Sequence, residues 1–313
     1  MIEFIFENFA VWNYLCNFAP SKSGKMKVFY YKVAGHVFAV ETSEQDHVVN
    51  ELKQYEPFLT EATDDTVFRL QIVDTSLATA DFHEELRQED EGQTIVAGHL
   101  PTGDPYFEFW LGKKRSSVLV TSKDYMSARV GVETLWSFGV NNAIMVLYAL
   151  ATANQHTALF HSSVVSYEGR GYMFLGQSGT GKSTHSSLWL KHIEGTELVN
   201  DDNPVVRLID GKPWVFGSPW SGKTPCYKNV KAPIGAIVQL SQAPYNKISP
   251  LKGLKAYAAL IPSISGKRWD RQLADGLHET ETLLAGRAKM FHLECLPDRA
   301  AAMTCMEAVT SEE

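Results

Sequence analysis

Two short stretches carry the pattern of a phosphate-cradling loop, G-x-x-x-x-G-K-[ST]: GQSGTGKS, Gly176 to Ser183, and GSPWSGKT, Gly217 to Thr224. The chemistry such a loop performs depends on its flanks. A strand must lead in and a helix must lead out, because phosphate sits on backbone N–H groups at a helix start. The first stretch follows apolar YMFL and precedes the helix-compatible KSTHSSLWLKHI. There Gly176, Gln177, Ser178, Gly179, Thr180, Gly181, Lys182, Ser183 and Thr184 would form a nucleotide cradle. Lys182 would reach the terminal phosphates, and the Ser183 hydroxyl would ligate Mg²⁺. In the second stretch Pro219 and Trp220 stiffen and crowd the loop, and Pro225 and Pro233 leave little room for a helix. It reads as a loop beside the nucleotide. Its Lys223, next to Ser221, either contacts the transferred phosphoryl group or substrate, or is a solvated turn lysine.

Phosphoryl transfer also needs acids for metal and nucleophile. LVNDD places Asp201 and Asp202 at the carboxyl end of a short strand, where ligands lie in an open α/β sheet. Neighbouring strand residues point opposite ways. One carboxylate can hold Mg²⁺ while the other faces an acceptor hydroxyl as general base; the plainer alternative is that both cap the turn before Pro204. His161 opens the strand ahead of the loop, a place where a histidine is usually a structural hydrogen-bonder. Arg268 and Arg271 either clamp an anion or form a solvated helix start. Asp210 reads as a hairpin turn residue, with Asp270 a further acid. His185 and His192 share a helix face but lack a third ligand, and Trp189 and Leu190 read as core.

The elements that must position these groups divide the chain. Residues 1–25 form an appendage, or an extra strand or helix, ahead of Met26, which opens the fold. Over 26–124, runs such as KVFYYKVAGHVFAVE, TVFRLQIVD, YFEFWLG and SSVLVTS predict a β-rich, antiparallel N-terminal domain. Over 125–157, Val132, Leu135, Val140, Ile144, Leu147, Tyr148 and Ala151 recur at helical spacing and predict connecting helices. Over 158–313 a strand pair around Glu168-Gly169-Arg170-Gly171, the loop and its helix, the acidic strand and the NPVVRLIDGKPWVFG hairpin come first. The strand IGAIVQLS, helices over SPLKGLKAYAALI and DRQLADGLHETETLLAG, the strand AKMFHLEC and a terminal helix follow. The fold class is α/β, a C-terminal phosphate-loop core with a smaller β-rich N-terminal domain.

Bulk properties narrow the function. A net charge of −7 argues against a general nucleic-acid binder, whose domain would be basic. Cys16, Cys226, Cys295 and Cys305 are scattered without a C-x-x-C pair, which points to reduced thiols in a cytoplasmic protein. The aromatic-rich start lacks the basic region and continuous apolar core of a signal peptide, and no apolar run is long enough to span a membrane.

HSSVVSYEGRGYMFLGQSGTGKSTHSSL followed by LVNDD resembles the HPr kinase/phosphorylase family, which pairs a histidine, a glycine-rich hairpin, a phosphate loop and a double aspartate in this order. SGTGKST with the double aspartate is also similar to ATP-dependent phosphoenolpyruvate carboxykinases, which share the nucleotide-binding core. The resemblance is close from His161 to Asp202 and loose beyond. It implies His161 and Lys182 as catalytic contributors, Ser183 as metal ligand, Asp202 as proton acceptor and Asp201 as a metal or water contact, with ATP and Mg²⁺ as cofactors. Two departures stand out. HPr kinases carry a metal-binding glutamate after the double aspartate, but here no glutamate falls between Glu197 and Glu279, and FGSPWSGKTP stands in that place. The N-terminal half has no counterpart in that family. Against the carboxykinases, the chain is short and lacks their separate metal and phosphoenolpyruvate motifs. The expectation is an ATP-dependent kinase acting on a hydroxyl of a peptide, protein or small molecule, with no nucleic-acid or membrane partner and homo-oligomerisation open. A nucleotide-binding regulator without turnover and a carboxykinase-like lyase are the alternatives. Lys182 with both aspartates favours the enzyme, and the missing glutamate favours the regulator.

Overall fold

Alternating apolar runs build two sheets, and helices cover what the strands leave bare. The computed structural model describes residues 26–43, 50–90, 92–222 and 224–311, so the 1–25 stretch and Lys223 lie outside the described residues. In the first sheet, β1 (Lys27–Val33) and β2 (His36–Thr42) form a hairpin. Then β3 (Arg69–Val73) pairs with β2 and with β8 (Ser127–Val132). The meander β4 (His83–Asp90), β5 (Gln93–His99), β6 (Pro105–Leu111) and β7 (Lys114–Thr121) completes the order β1-β2-β3-β8-β7-β6-β5-β4.

Three expectations need correction. The N-terminal layer is mixed rather than antiparallel, because β3 runs parallel to both β2 and β8. A parallel pair requires a crossover. The segment between β2 and β3 supplies it, anchored by a 3₁₀ turn at Lys53–Phe58 that buries Tyr55 and Phe58. Second, the stretch expected to be helical from Tyr125 begins with β8. Its Ala128 and Val130 are buried at a spacing of two, the strand period. The helix, α1 (Trp136–Thr152), starts only after Leu135. Third, β4, like β5, was not among the expected strands. Its sequence HEELRQED leaves every residue exposed, so no apolar alternation marks it. It is an edge strand, and its charges suit an edge that must not recruit another chain.

The second sheet has nine strands. β9 (Thr157–Leu159), β10 (Ser162–Tyr167), β11 (Arg170–Leu175), β12 (Glu197–Asn200), β13 (Val205–Ile209), β14 (Lys212–Phe216) and β15 (Lys231–Gln242) run in the order β12-β10-β11-β15-β14-β13-β9. β16 (Lys247–Leu251) and β17 (Met290–Cys295) extend it beyond β15. β16 takes the first part of the segment expected as helix, and α3 (Leu254–Leu260) takes the rest. The remaining helices are α2 (Lys182–His192), α4 (Arg271–Arg287) and α5 (Arg299–Thr310).

Both faces of this sheet are buried, and the strand period sorts the residues. Val164, Met173, Leu175 and Ile237 join the large core shared with the first sheet and α1. Their neighbours Val165, Tyr172, Phe174 and Val238 pack with Trp189 of α2 and Ala302 and Cys305 of α5. Leu190, expected in the core, is 40% exposed, since it sits one residue past Trp189 on the helix and turns outward. Polar contacts stitch the halves together. Tyr148 Oη donates to Val33 O at 3.1 Å, Arg207 Nη1 to Ala34 O at 2.8 Å, and Trp220 Nε1 to the Tyr55 hydroxyl at 2.8 Å. His36, 2.8 Å from Thr157 Oγ1, is held neutral by burial and by Arg207, which push its pKa down to about 3.

Candidate active site

Strand direction brings the chemistry-bearing residues to one end of the second sheet. β10 is antiparallel to both β11 and β12, so the carboxyl ends of β11 and β12 point the same way as the start of β10. Ser162 pairs with Leu175, the residue before Gly176. Asp201 and Asp202 follow β12 directly, and Ser162 N donates to Asp202 O at 2.8 Å. His161 is therefore delivered between the glycine loop and the acids. With one strand between β11 and β12, loop and acids stand about 10 Å apart across the strand ends.

The loop from Gly176 to Gly181 joins β11 to α2, the strand–loop–helix order expected from the sequence. Gly179 and Gly181 have φ of 78° and 107°, conformations that suit glycine alone. Thr180 N and Oγ1 both donate to Gln177 O, at 3.1 and 2.7 Å, closing the turn. Lys182 is mostly buried, and its ammonium donates back to Gly176 O at 3.0 Å and Gln177 O at 3.3 Å. Ser183 and Thr184 lie exposed in the first turn of α2, where free N–H groups carry partial positive charge.

The two acids diverge, as expected of neighbours at a strand end. Asp202 Oδ1 lies 3.2 Å from His161 Nδ1, and its Oδ2 accepts from Asn203 Nδ2 at 2.7 Å. His161 and Asp202 both remain about a third exposed, open to a reactant. Asp201 turns inward. Its Oδ1 accepts from Ser163 Oγ at 2.9 Å, and Ser163 in turn accepts from Ser186 Oγ of α2. Its Oδ2 is buried without a hydrogen-bond partner. A buried carboxylate oxygen in that state is costly, and it fits a bound cation or cation-held water. Among the described residues no group of three or more His, Cys, Asp or Glu side chains gathers into a metal cluster. A cation here would draw most of its ligands from phosphate and water, as Mg²⁺ does.

The second glycine-lysine stretch is not followed by a helix; residues 224–230 run irregularly into β15. It is a clasp over the acids. Ser218, fully buried, donates to Asn203 O at 2.6 Å, and Asn200 Nδ2 donates to both Ser218 Oγ and Trp220 O at 3.1 Å. Trp220 inserts between Tyr55 and Tyr148. Gly222 sits so close to Asp202 that a Cβ there would lie 3.1 Å from the Asp202 Cβ. Lys223 is outside the described residues.

Most of the other candidates make structural contacts. Arg268 pairs at 2.5 Å with Glu281, whose side chain is fully buried, and Arg271 makes only an exposed contact with Asp275. Asp270 caps α4 and accepts from Tyr125 Oη at 2.9 Å. Asp210 is the left-handed turn residue of the β13–β14 hairpin. His185 is buried and accepts from Trp189 Nε1, and burial lowers its pKa to about 4. Sequence reading passed over Ser163, Ser186, Asn203 and Gln242. The serines that follow His161 carried the available hint, a hydroxyl on each face of the strand beside the acids.

No family model and no curated protein matches the chain. Among solved structures, the Hpr(Ser) kinase/phosphatase from Coxiella burnetii is similar at a TM-score of 0.29 and 10% identity, covering 48% of this chain and 93% of that one. A likeness of that size carries no argument about residue roles. The chain is a mixed α/β protein of two sheets with flanking helices. Among the described residues, no helix is long and apolar enough to cross a membrane.

Proposed function

We propose that the protein is an ATP-dependent kinase that phosphorylates a hydroxyl-bearing acceptor. The observation that carries this reading is the partly exposed His161–Asp202 pair standing beside a glycine loop that ends in Lys182. Triphosphate would lie on the loop's N–H groups and the start of α2, with the Lys182 ammonium exchanging its carbonyl partners for phosphate oxygens. Asp202 would accept the acceptor's hydroxyl proton as that oxygen attacks the γ-phosphorus. The bond from γ-phosphorus to the bridging oxygen then breaks, and ADP leaves with the electron pair. His161, within hydrogen-bonding reach of Asp202 Oδ1, orients the carboxylate.

Bound Mg²⁺ would neutralise charge that builds on the phosphates. Ser183 Oγ and the unpartnered Asp201 Oδ2 are hard oxygen donors of the right kind to help hold it. Lys223, next in sequence to Gly222, is the candidate for a contact to the transferred group.

The test is incubation with γ-labelled ATP, Mg²⁺ and a panel of hydroxyl metabolites and peptides. Label transferred to one acceptor class, and lost in Asp202→Asn, supports the kinase. Tight ATP binding with no transfer to any acceptor would favour the regulator instead.

A further inference from the structure

The acids lie on one side of the glycine loop, and a pocket lies on the other. The sheet order is β12-β10-β11-β15, with β17 beyond β15, and the glycine loop leaves β11 in the middle. β15 and β17 run parallel to β11, so their carboxyl ends, Gln242 and Cys295, rise at the loop's end of the sheet. Between them and α2 is a hollow of about 510 Å³, a size typical of small-molecule sites. Leu188, Leu240, Ala243, Leu296 and Pro297 supply its apolar walls. Gly179, Gly181 and Thr184 of the loop and helix form its near rim, and Gln242 Nε2 donates across it to Gly179 O at 3.2 Å.

The chemistry of this lining is selective. No lysine, arginine, aspartate or glutamate is among the lining residues, and His185 accepts from Trp189, which places its proton on Nδ1. A neutral, mostly apolar hollow does not suit phosphate or a charged acceptor. It suits a flat, uncharged heteroaromatic ring. A triphosphate crossing the loop with its reacting end at Asp202 must carry its other end toward this side. Guanine would bury an N1–H and an exocyclic amine that are commonly matched by a carboxylate, and none lines the hollow.

We infer that this hollow between α2 and the ends of β15 and β17 is the nucleobase subsite, and that it takes adenine in preference to guanine. The inference rests on the phosphate reading of Gly176 to Ser183. Gln242, bonded to the loop tip, is then the residue through which base occupancy is felt at the phosphates.

Ala243 lines the hollow with its backbone N–H fixed to Cys295 O at 3.1 Å, so Ala243→Trp fills the space from a held position. Binding of ATP, GTP and inorganic tripolyphosphate is measured for the parent, Ala243→Trp and Lys182→Ala. Ala243→Trp is expected to weaken ATP about tenfold, the loss for a ring denied its apolar pocket, and to leave tripolyphosphate unchanged. Lys182→Ala is expected to weaken both. The parent protein provides a second readout that needs no substitution. Cys295 lines the hollow and is partly accessible, whereas Cys226 and Cys305 are buried. ATP should slow maleimide labelling of the Cys295 peptide, and tripolyphosphate should not.

If Ala243→Trp binds ATP as the parent does and Cys295 is unprotected, while Lys182→Ala still loses tripolyphosphate, the base lies elsewhere and the phosphate reading survives. GTP binding as tight as ATP overturns the adenine preference. If Lys182→Ala changes neither ligand, the phosphate reading fails and takes this inference with it.

Discussion

At the scale of single residues, the kinase proposal gives Asp202 and Lys182 separable roles. Asp202→Asn keeps the shape and the acceptor oxygen but removes the proposed base, and general base catalysis contributes roughly 10²–10⁴-fold. Phosphorylation of the acceptor should fall by about that factor, with ATP affinity little changed, in a comparison of kcat and ATP Kd. Equal loss of kcat, affinity and melting temperature would instead mark Asp202 as a turn acid. On the kinase proposal, Lys182→Ala should abolish tight ATP binding, because the ammonium now held by Gly176 O and Gln177 O would be the loop's own cation for phosphate. Asp201 differs from its neighbour in burial and partners, so Asp201→Asn should raise the Mg²⁺ concentration needed for half-maximal rate.

At the scale of elements, the clasp formed by Gly217 to Gly222 packs against the segment that carries the acids. Trp220 is 2% exposed and packs between two tyrosines contributed by the crossover turn and α1. Trp220→Ala should cost about 3–5 kcal/mol in urea unfolding, the usual loss for a large buried aromatic. Trp220→Phe keeps much of the bulk and loses the hydrogen bond to Tyr55, so its cost should be nearer 1 kcal/mol. Gly222 reports on function rather than stability. A methyl there would meet Asp202 Cβ at 3.1 Å and Asp201 O at 3.3 Å, so the acid must shift by a few tenths of an ångström. Gly222→Ala should reduce kcat well before it lowers the unfolding midpoint. A parent-like kcat would show that the clasp tolerates the displacement without moving Asp202.

At the scale of the whole molecule, acid should separate the parts in two stages. His36 and His185 are buried and neutral, with pKa values lowered to about 3 and about 4. The unfolded chain protonates them near 6.5, so their contribution is complete above that pH and declines as pH falls below it. Glu85 acts lower. Burial alone would raise its pKa, but hydrogen bonds from Lys267, Trp269 and His99, with the charge of Lys267, bring it down to about 2. This carboxylate joins the edge strand β4 to the segment leading into α4, with Lys267 Nζ at 2.9 Å and Trp269 Nε1 at 2.7 Å. Its stabilising effect is full above the unfolded value, about 4.3, and is lost as pH falls toward 2. Melting temperature should therefore begin to fall below about pH 6.5 and fall further below about pH 4.3. Glu85→Gln should shrink the second step alone, with Asp124 and Glu133, whose pKa values are also lowered by hydrogen bonds, supplying the remainder. A second step of unchanged size in Glu85→Gln would assign it to those other carboxylates.

The parts of this protein set by neighbouring residues were legible in the sequence. The β10–β11 hairpin, the glycine loop entering α2, the short strand before Asp201 and Asp202 and the Asp210-Gly211 turn all follow from local rules. Glycines mark left-handed φ, apolar residues recur at the period of strand or helix, and acids stand at a strand end. The lack of room for a helix after Gly217 to Thr224 was legible too, from its prolines. What that loop does was not: Trp220 reaches Tyr55 across 165 residues of chain. The approach of His161 to Asp202 depends on β10 lying between β11 and β12, and the inward turn of Asp201 depends on Ser163 and on Ser186 of α2. The parallel placement of β3, the charged edge strand β4 and the hollow opposite the acids likewise arise from how separate segments stack. Local conformation is decided by steric and hydrogen-bonding preferences within a few residues. Strand order and register are decided by which buried faces fit, and that fit exists only once the whole chain is packed.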